Sequence, residues 1–91
     1  MVELSEPVVE VGVFDAPQGT ALVLANFTYR PIEMLRARVP VARAVHRVHS
    51  VQAGDLRFAL EDASPALRAL GYDKVAAFAL ALGVNDIILI D

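Results

Sequence analysis

The sequence predicts an all-β fold, an antiparallel β-sandwich of about seven strands with one short helical turn near residues 65–70. Three observations carry that prediction. Apolar and polar side chains alternate with a period of two through most of the 91 residues. Clusters of Gly, Pro, Asn and Asp interrupt the pattern at short, regular intervals. Only one stretch, around Ser64-Pro65, carries a helix-start signal. The length allows a single domain over residues 1–91.

The first strand is expected at residues 8–14, with Val9, Val11 and Val13 on one side and Val8, Glu10, Gly12 and Phe14 on the other. Asp15-Ala16-Pro17-Gln18-Gly19 is a turn by composition, proline fixing φ and glycine free to take a positive φ. Residues 20–29 follow as a second strand, which Tyr29-Arg30-Pro31 breaks. Both of its faces are apolar, Ala21, Val23, Ala25 and Phe27 against Leu22 and Leu24, which reads as a central strand covered on both sides.

A third strand spans 33–39 and stops at Pro40, because proline cannot donate to a ladder. In residues 44–51 Val45, Val48 and Val51 are spaced by three, the mark of a bulged strand or of a helical turn. Residues 55–61 alternate most cleanly, Leu56, Phe58 and Leu60 against Arg57, Ala59 and Glu61. Ser64 is placed to cap a helical turn with Pro65 at its first position and Gly71 just beyond its end. The alanines of 74–82 favour helix on propensity. A strand there would pair with 55–61 across the connection, and that is the expected state. Gly83-Val84-Asn85 turns into a last strand at 86–90.

Charge and composition exclude several functions. The net charge is −3 and cysteine is absent, which removes disulfides, thiolate nucleophiles and cysteine-ligated zinc. Six arginines fall in residues 30–57, but Arg36 and Arg38 alternate with Leu35, Ala37 and Val39 as on a strand with one wet face. No aromatic residues interleave them, so nucleic acid is not an expected partner. No apolar run reaches the ~18 residues of a membrane helix, and neither a membrane nor a cofactor is expected. The start lacks a basic region followed by an apolar one, so no signal peptide is expected and the default location is cytoplasmic.

Candidate chemical residues do not combine. His46 and His49, three apart on a strand, would face opposite sides, and no third ligand supports a metal site. Asp15, Glu61, Asp62, Asp73 and Asp86 are placed in turns or on polar faces, and adjacent Glu61 and Asp62 point apart, so no carboxyl dyad of the glycosidase kind forms. Ser50 and Ser64 lack a nucleophile-elbow context. No catalytic, cofactor-binding or metal residue is therefore expected. Phe14, Phe27, Phe58 and Phe78 are read as core. Tyr29 and Tyr72, in expected loops, are the two rings free to stack on a sugar. Asn26-Phe27-Thr28 matches a glycosylation sequon inside an expected strand.

Three stretches resemble a known family. Gly19 to Ile32, Val45 to Phe58 with its Val48-His49-Ser50-Val51 and Gly54-Asp55-Leu56-Arg57-Phe58, and Leu80 to Leu89 are similar to strands and turns of the small C-terminal β-sandwich domain of bacterial glycoside hydrolases. The likeness runs over about residues 8–90, and residues 63–73 depart from it. It implies a non-catalytic accessory domain packed against the catalytic domain, whose catalytic carboxylates lie elsewhere, so no functional residue is carried over. Mean hydropathy of +0.50 is high for a small soluble domain, which suggests apolar surface covered by something else. The apolar excess falls on Ala77, Ala79 and Ala81 and on one face of 20–28. The expected role is thus packing against a glycoside hydrolase catalytic domain or against a second copy. A carbohydrate-binding module using Tyr29 and Tyr72, or a self-associating β protein of unrelated function, is the alternative.

Overall fold

A computed structural model describes residues 2–91. Among these residues nine strands and one short helix follow one another: β1 (Glu3–Leu4), β2 (Val9–Ala16), β3 (Gly19–Asn26), β4 (Ile32–Val41), β5 (Val48–Ser50), β6 (Gly54–Leu56), β7 (Phe58–Asp62), α1 (Pro65–Ala69), β8 (Lys74–Leu82) and β9 (Asn85–Ile90). They form two antiparallel sheets, a four-stranded one in the order β1-β4-β8-β7 and a five-stranded one in the order β2-β3-β9-β5-β6. The core lies between them. Leu35, Ala37, Val39, Ala76, Phe78, Leu80 and Leu82 of the first sheet meet Leu22, Leu24, Val48, Ile88 and Ile90 of the second, all buried. The all-β sandwich expected from period-two alternation is the fold observed.

The helical turn forms as its caps dictate. Ser64 Oγ accepts from the Leu67 N–H at 3.3 Å and Pro65 occupies the first turn, where a missing N–H costs nothing. Gly71, at φ 97°, ends it while Gly71 and Tyr72 N–H groups donate back to Arg68 and Leu67 carbonyls, both at 3.0 Å. No residue of α1 is buried, so the turn links β7 to β8 without feeding the core. Residues 74–82 are a strand throughout and pair with β7, because burial of Ala76, Phe78, Leu80 and Leu82 on one side overrides alanine's helix propensity.

Five expectations need correction. Pro40 does not stop its strand. It sits in β4 opposite Val75, beyond the reach of β1, whose ladder extends only to Glu3 opposite Arg38. Among the described residues the flank of β4 there has no ladder to lose. The clean alternation of 55–61 is shared by two strands. Gly54–Leu56 pairs with β5 and Phe58–Asp62 with β8, and the chain crosses between sheets at Arg57 while keeping its apolar side inward. Residues 44–47 form neither bulge nor helix, and only Val48–Ser50 joins the sheet, with Val51 exposed in the following turn. Phe14 and Phe27 are not core residues, being 62% and 50% exposed. Gly19 does not need a positive φ. A Cβ there would lie 2.5 Å from the Ile90 carbonyl oxygen, so glycine permits the close approach of β9 to the hairpin.

Candidate functional site

The two outward faces of the sandwich differ sharply. On the four-stranded sheet Arg36, Arg38, Ala77, Ala79 and Ala59 point outward, as their cross-strand register requires. Ala77 lies between Arg38 and Ala59, and its small side chain lets the Arg38 guanidinium reach over β8 to pair with Glu61 while Glu3 approaches at 3.6 Å. A charged chain thus bridges part of the alanine stripe.

Among the described residues no comparable bridge spans the outer face of the five-stranded sheet. In β3 the side chains alternate, so Leu22 and Leu24 enter the core while Ala21, Val23, Ala25 and Phe27 face out. Register extends this face across the neighbouring strands. One row runs Phe14, Ala21, Leu89, His49, and the next runs Gly12, Val23, Ile87. Val51 lies beside Ile87, whose carbonyl accepts its N–H at 2.9 Å. The Phe14 ring lies over Gly12, where an added Cβ would meet it at 3.3 Å. Val23 and Ile87 remain 39% and 41% exposed at the centre of the sheet. With Val8, Phe27, Val51 and Leu89 the face exposes on the order of 500 Å² of apolar surface, near the upper end of the largest patch of a typical monomer. Its polar members lie towards the margins: Glu10 on β2, Asn85 at the start of β9, and the pair His49 Nδ1 and Asp55 Oδ1 at 3.1 Å. The expectation that strand 20–28 is covered on both sides therefore holds for one side only.

The chemical candidates are dispersed and engaged elsewhere. His46 is exposed and its N–H bonds to the Asp91 carbonyl at 2.9 Å, whereas His49 faces Asp55. Among the described residues no three His, Cys, Asp or Glu side chains cluster as metal ligands do. Asp15 accepts from the Thr20 hydroxyl, Glu61 holds Arg38, and Asp62 takes the Lys74 ammonium at 2.6 Å. That ammonium, by hydrogen bond and by charge, holds the Asp62 carboxyl below its ordinary value of 3.8. Asp86 departs from expectation. It is buried, and its carboxylate accepts from the Ser50 hydroxyl, the Gln52 N–H at 3.2 Å and the Ile87 N–H at 2.8 Å. Three donors replace the water that burial removes, and the group braces the β5–β6 turn.

Tyr29 is fully exposed at the β3–β4 turn, and Tyr72 is half-buried just before β8. Since β8 starts opposite Val41 and ends opposite Ile32, the two rings sit at opposite ends of the sandwich, roughly 25 Å apart at ~3.3 Å per residue. They do not form one platform. Tyr72 instead borders a cleft of about 550 Å³ between β2 and β4, walled by Val2, Val11, Val13, Val39 and Val41.

Asn26 of the sequon is fully committed. Its Nδ2 donates to the carbonyls of Arg30 at 2.8 Å and Gly83 at 2.7 Å, and its Oδ1 accepts from Thr28 N–H at 2.9 Å and Thr28 Oγ1 at 2.6 Å. This clasp ties the β3–β4 turn to the β8–β9 turn and holds Tyr29 at φ 65°. Comparison with protein families, curated proteins and solved structures finds no match to the chain.

Proposed function

We propose that this chain is a non-catalytic packing domain, which docks through the outer face of its five-stranded sheet onto the catalytic domain of a glycoside hydrolase. The observation that carries the docking role is the set Phe14, Val23, Ile87 and Leu89, apolar side chains left in water on one sheet face, with Val23 and Ile87 at its centre. A sheet face that is normally wet alternates polar residues there. The identity of the neighbour rests on the resemblance of residues 19–32, 45–58 and 80–89 alone. Small residues at 12, 21 and 25 allow close approach of a facing surface. The dispersed acids and histidines support a role without chemistry of its own.

The test uses the protein with whatever accompanies it non-covalently in its native preparation. Val23→Lys combined with Ile87→Lys is expected to keep the circular dichroism of the wild type, to abolish co-elution with the neighbour, and to release a glycoside-hydrolysing activity from the chain. Unchanged co-elution would overturn the docking face, and absence of any such activity from the wild-type assembly would overturn the neighbour's identity. A sugar-binding reading has one supporting observation, the full exposure of Tyr29. Calorimetric titration with oligosaccharides decides it: heat lost in Tyr29→Ala would favour a binding module, and no heat is expected here.

A further inference from the structure

Four strand edges bound the two sheets, and three of them are blunted. β1 is two residues long and carries Glu3, β6 is three residues long and carries Asp55, and β7 holds Glu61 and Asp62. Short, charged edges resist pairing with other chains. The fourth edge, β2, is different. It runs for eight residues with an unbroken register to β3, contains no lysine or proline, and has Glu10 and Asp15 as its only charges. No ladder covers its other side among the described residues.

The direction of its free groups follows from a single bond. Phe27 N–H donates to the Val8 carbonyl at 3.3 Å, so in this antiparallel pair the even-numbered residues of β2 turn their backbone groups to β3. The N–H and C=O of Val11 and Val13 consequently point away from the sheet. We infer that two copies of this chain pair antiparallel along β2, about a two-fold axis at Val11, to make one continuous ten-stranded sheet.

The register is argued from side chains. A two-fold axis normal to the sheet keeps each face on its own side, so even residues must oppose even and odd oppose odd. Centring on Glu10 would set two carboxylates directly opposite, which is destabilising. Centring on Gly12 would set Val9 against Asp15, a carboxylate already engaged by Thr20. Centring on Val11 sets Val9 against Val13 and Val11 against itself on the inner side, and Val8 against Phe14 and Glu10 against Gly12 on the outer side. The valines of the second copy then extend the apolar wall beside the inter-sheet cleft, which Val11 and Val13 already line. This pairing leaves the outer face of the five-stranded sheet uncovered, so it stands apart from the proposed docking role.

Analytical ultracentrifugation of the full chain over a range of concentrations is the first reading. A species of twice the 9.8 kDa chain mass is expected. Val13→Pro, which removes an outward N–H, should weaken the dimer on the order of ten- to a hundredfold, through two lost hydrogen bonds per dimer. If that variant does not fold, Val13→Lys places a solvated charge at the same edge and should give monomer. The chain lacks cysteine, so Val11→Cys is a clean register probe. Opposed Cα atoms of a hydrogen-bonded pair lie ~5.5 Å apart, within disulfide reach, and mild oxidation should cross-link the two copies. Val23→Lys with Ile87→Lys should leave the dimer intact, separating this inference from the docking face. A wild-type monomer at all concentrations would overturn the inference, as would a dimer insensitive to both Val13 variants. Cross-linking through Gly12→Cys in place of Val11→Cys would overturn the register.

Discussion

Strand β3 and strand β9 carry two adjacent cross-strand pairs that should respond to mutation very unequally. Leu22 lies opposite Ile88, and both are 0% exposed between the sheets. Val23 lies opposite Ile87 one step along, on the outer face. Truncating a fully buried leucine or isoleucine to alanine costs ~2–5 kcal/mol, combining lost transfer energy with the cavity left behind. Leu22→Ala and Ile88→Ala should each fall in that range. For a domain of this size, ~1 kcal/mol moves Tm by roughly 4–8 °C, so drops of about 8 °C or more are expected. Val23→Thr and Ile87→Lys change side chains already about 40% in water. Lysine's stem still covers the neighbouring strand while its ammonium stays solvated, so each should cost no more than about 1 kcal/mol. Urea unfolding followed by circular dichroism measures all four on one scale, with a common m-value as the check that the folded state is unchanged. A cost for Ile87→Lys equal to that of Ile88→Ala would refute the reasoning, since it would mean that residue 87 is enclosed within the single chain.

Other sites yield further expected outcomes. Asn26→Ala removes four hydrogen bonds at a partly solvated clasp and should cost about 2–3 kcal/mol in urea unfolding, with faster amide exchange at Tyr29 and Arg30. Gly19→Ala forces a methyl against the Ile90 carbonyl and should destabilise by ~1–3 kcal/mol, whereas Gly83→Ala, with open space around it, should cost far less. Asp62 titrates below its ordinary value of 3.8 because of Lys74, so Lys74→Gln should raise its pKa in a carboxyl NMR titration. Because the folded value is the lower one, the pair's contribution is present above pH ~4 and fades as pH falls through the folded pKa. Asp62 is exposed, so the contribution is slight.

Much of the fold is legible from alternation alone. β2, β3, β8 and β9 fall where the period-two pattern puts them, and the Ser64-Pro65 cap and Gly71 mark the helical turn. What escaped has local causes. Pro40 is harmless because β1 is short, a fact about a neighbour thirty-five residues away. The split at Arg57 preserves alternation, so nothing in the pattern marks a change of sheet. Asp86 reads as an acid in a turn or on a polar strand face because its three donors come from Ser50, Gln52 and Ile87, two of them distant in sequence. The outer face was within reach. Glu10 marks the wet side of the first strand, and a two-residue Pro17-Gln18 loop sets Phe14 opposite Ala21. Carrying that register forward places Val23 and Phe27 on the wet side too, leaving their apolar character to be accounted for.

Hydroxyl-radical footprinting, performed on the 91-residue chain alone and on the same chain in its native assembly, addresses that apolar face most directly. Phe14, Phe27, Ile87 and Leu89 should react readily in the isolated chain and become several-fold protected in the assembly, while Tyr29 and Val84 react equally in both. Equal labelling of the four face residues in the two preparations would contradict the account.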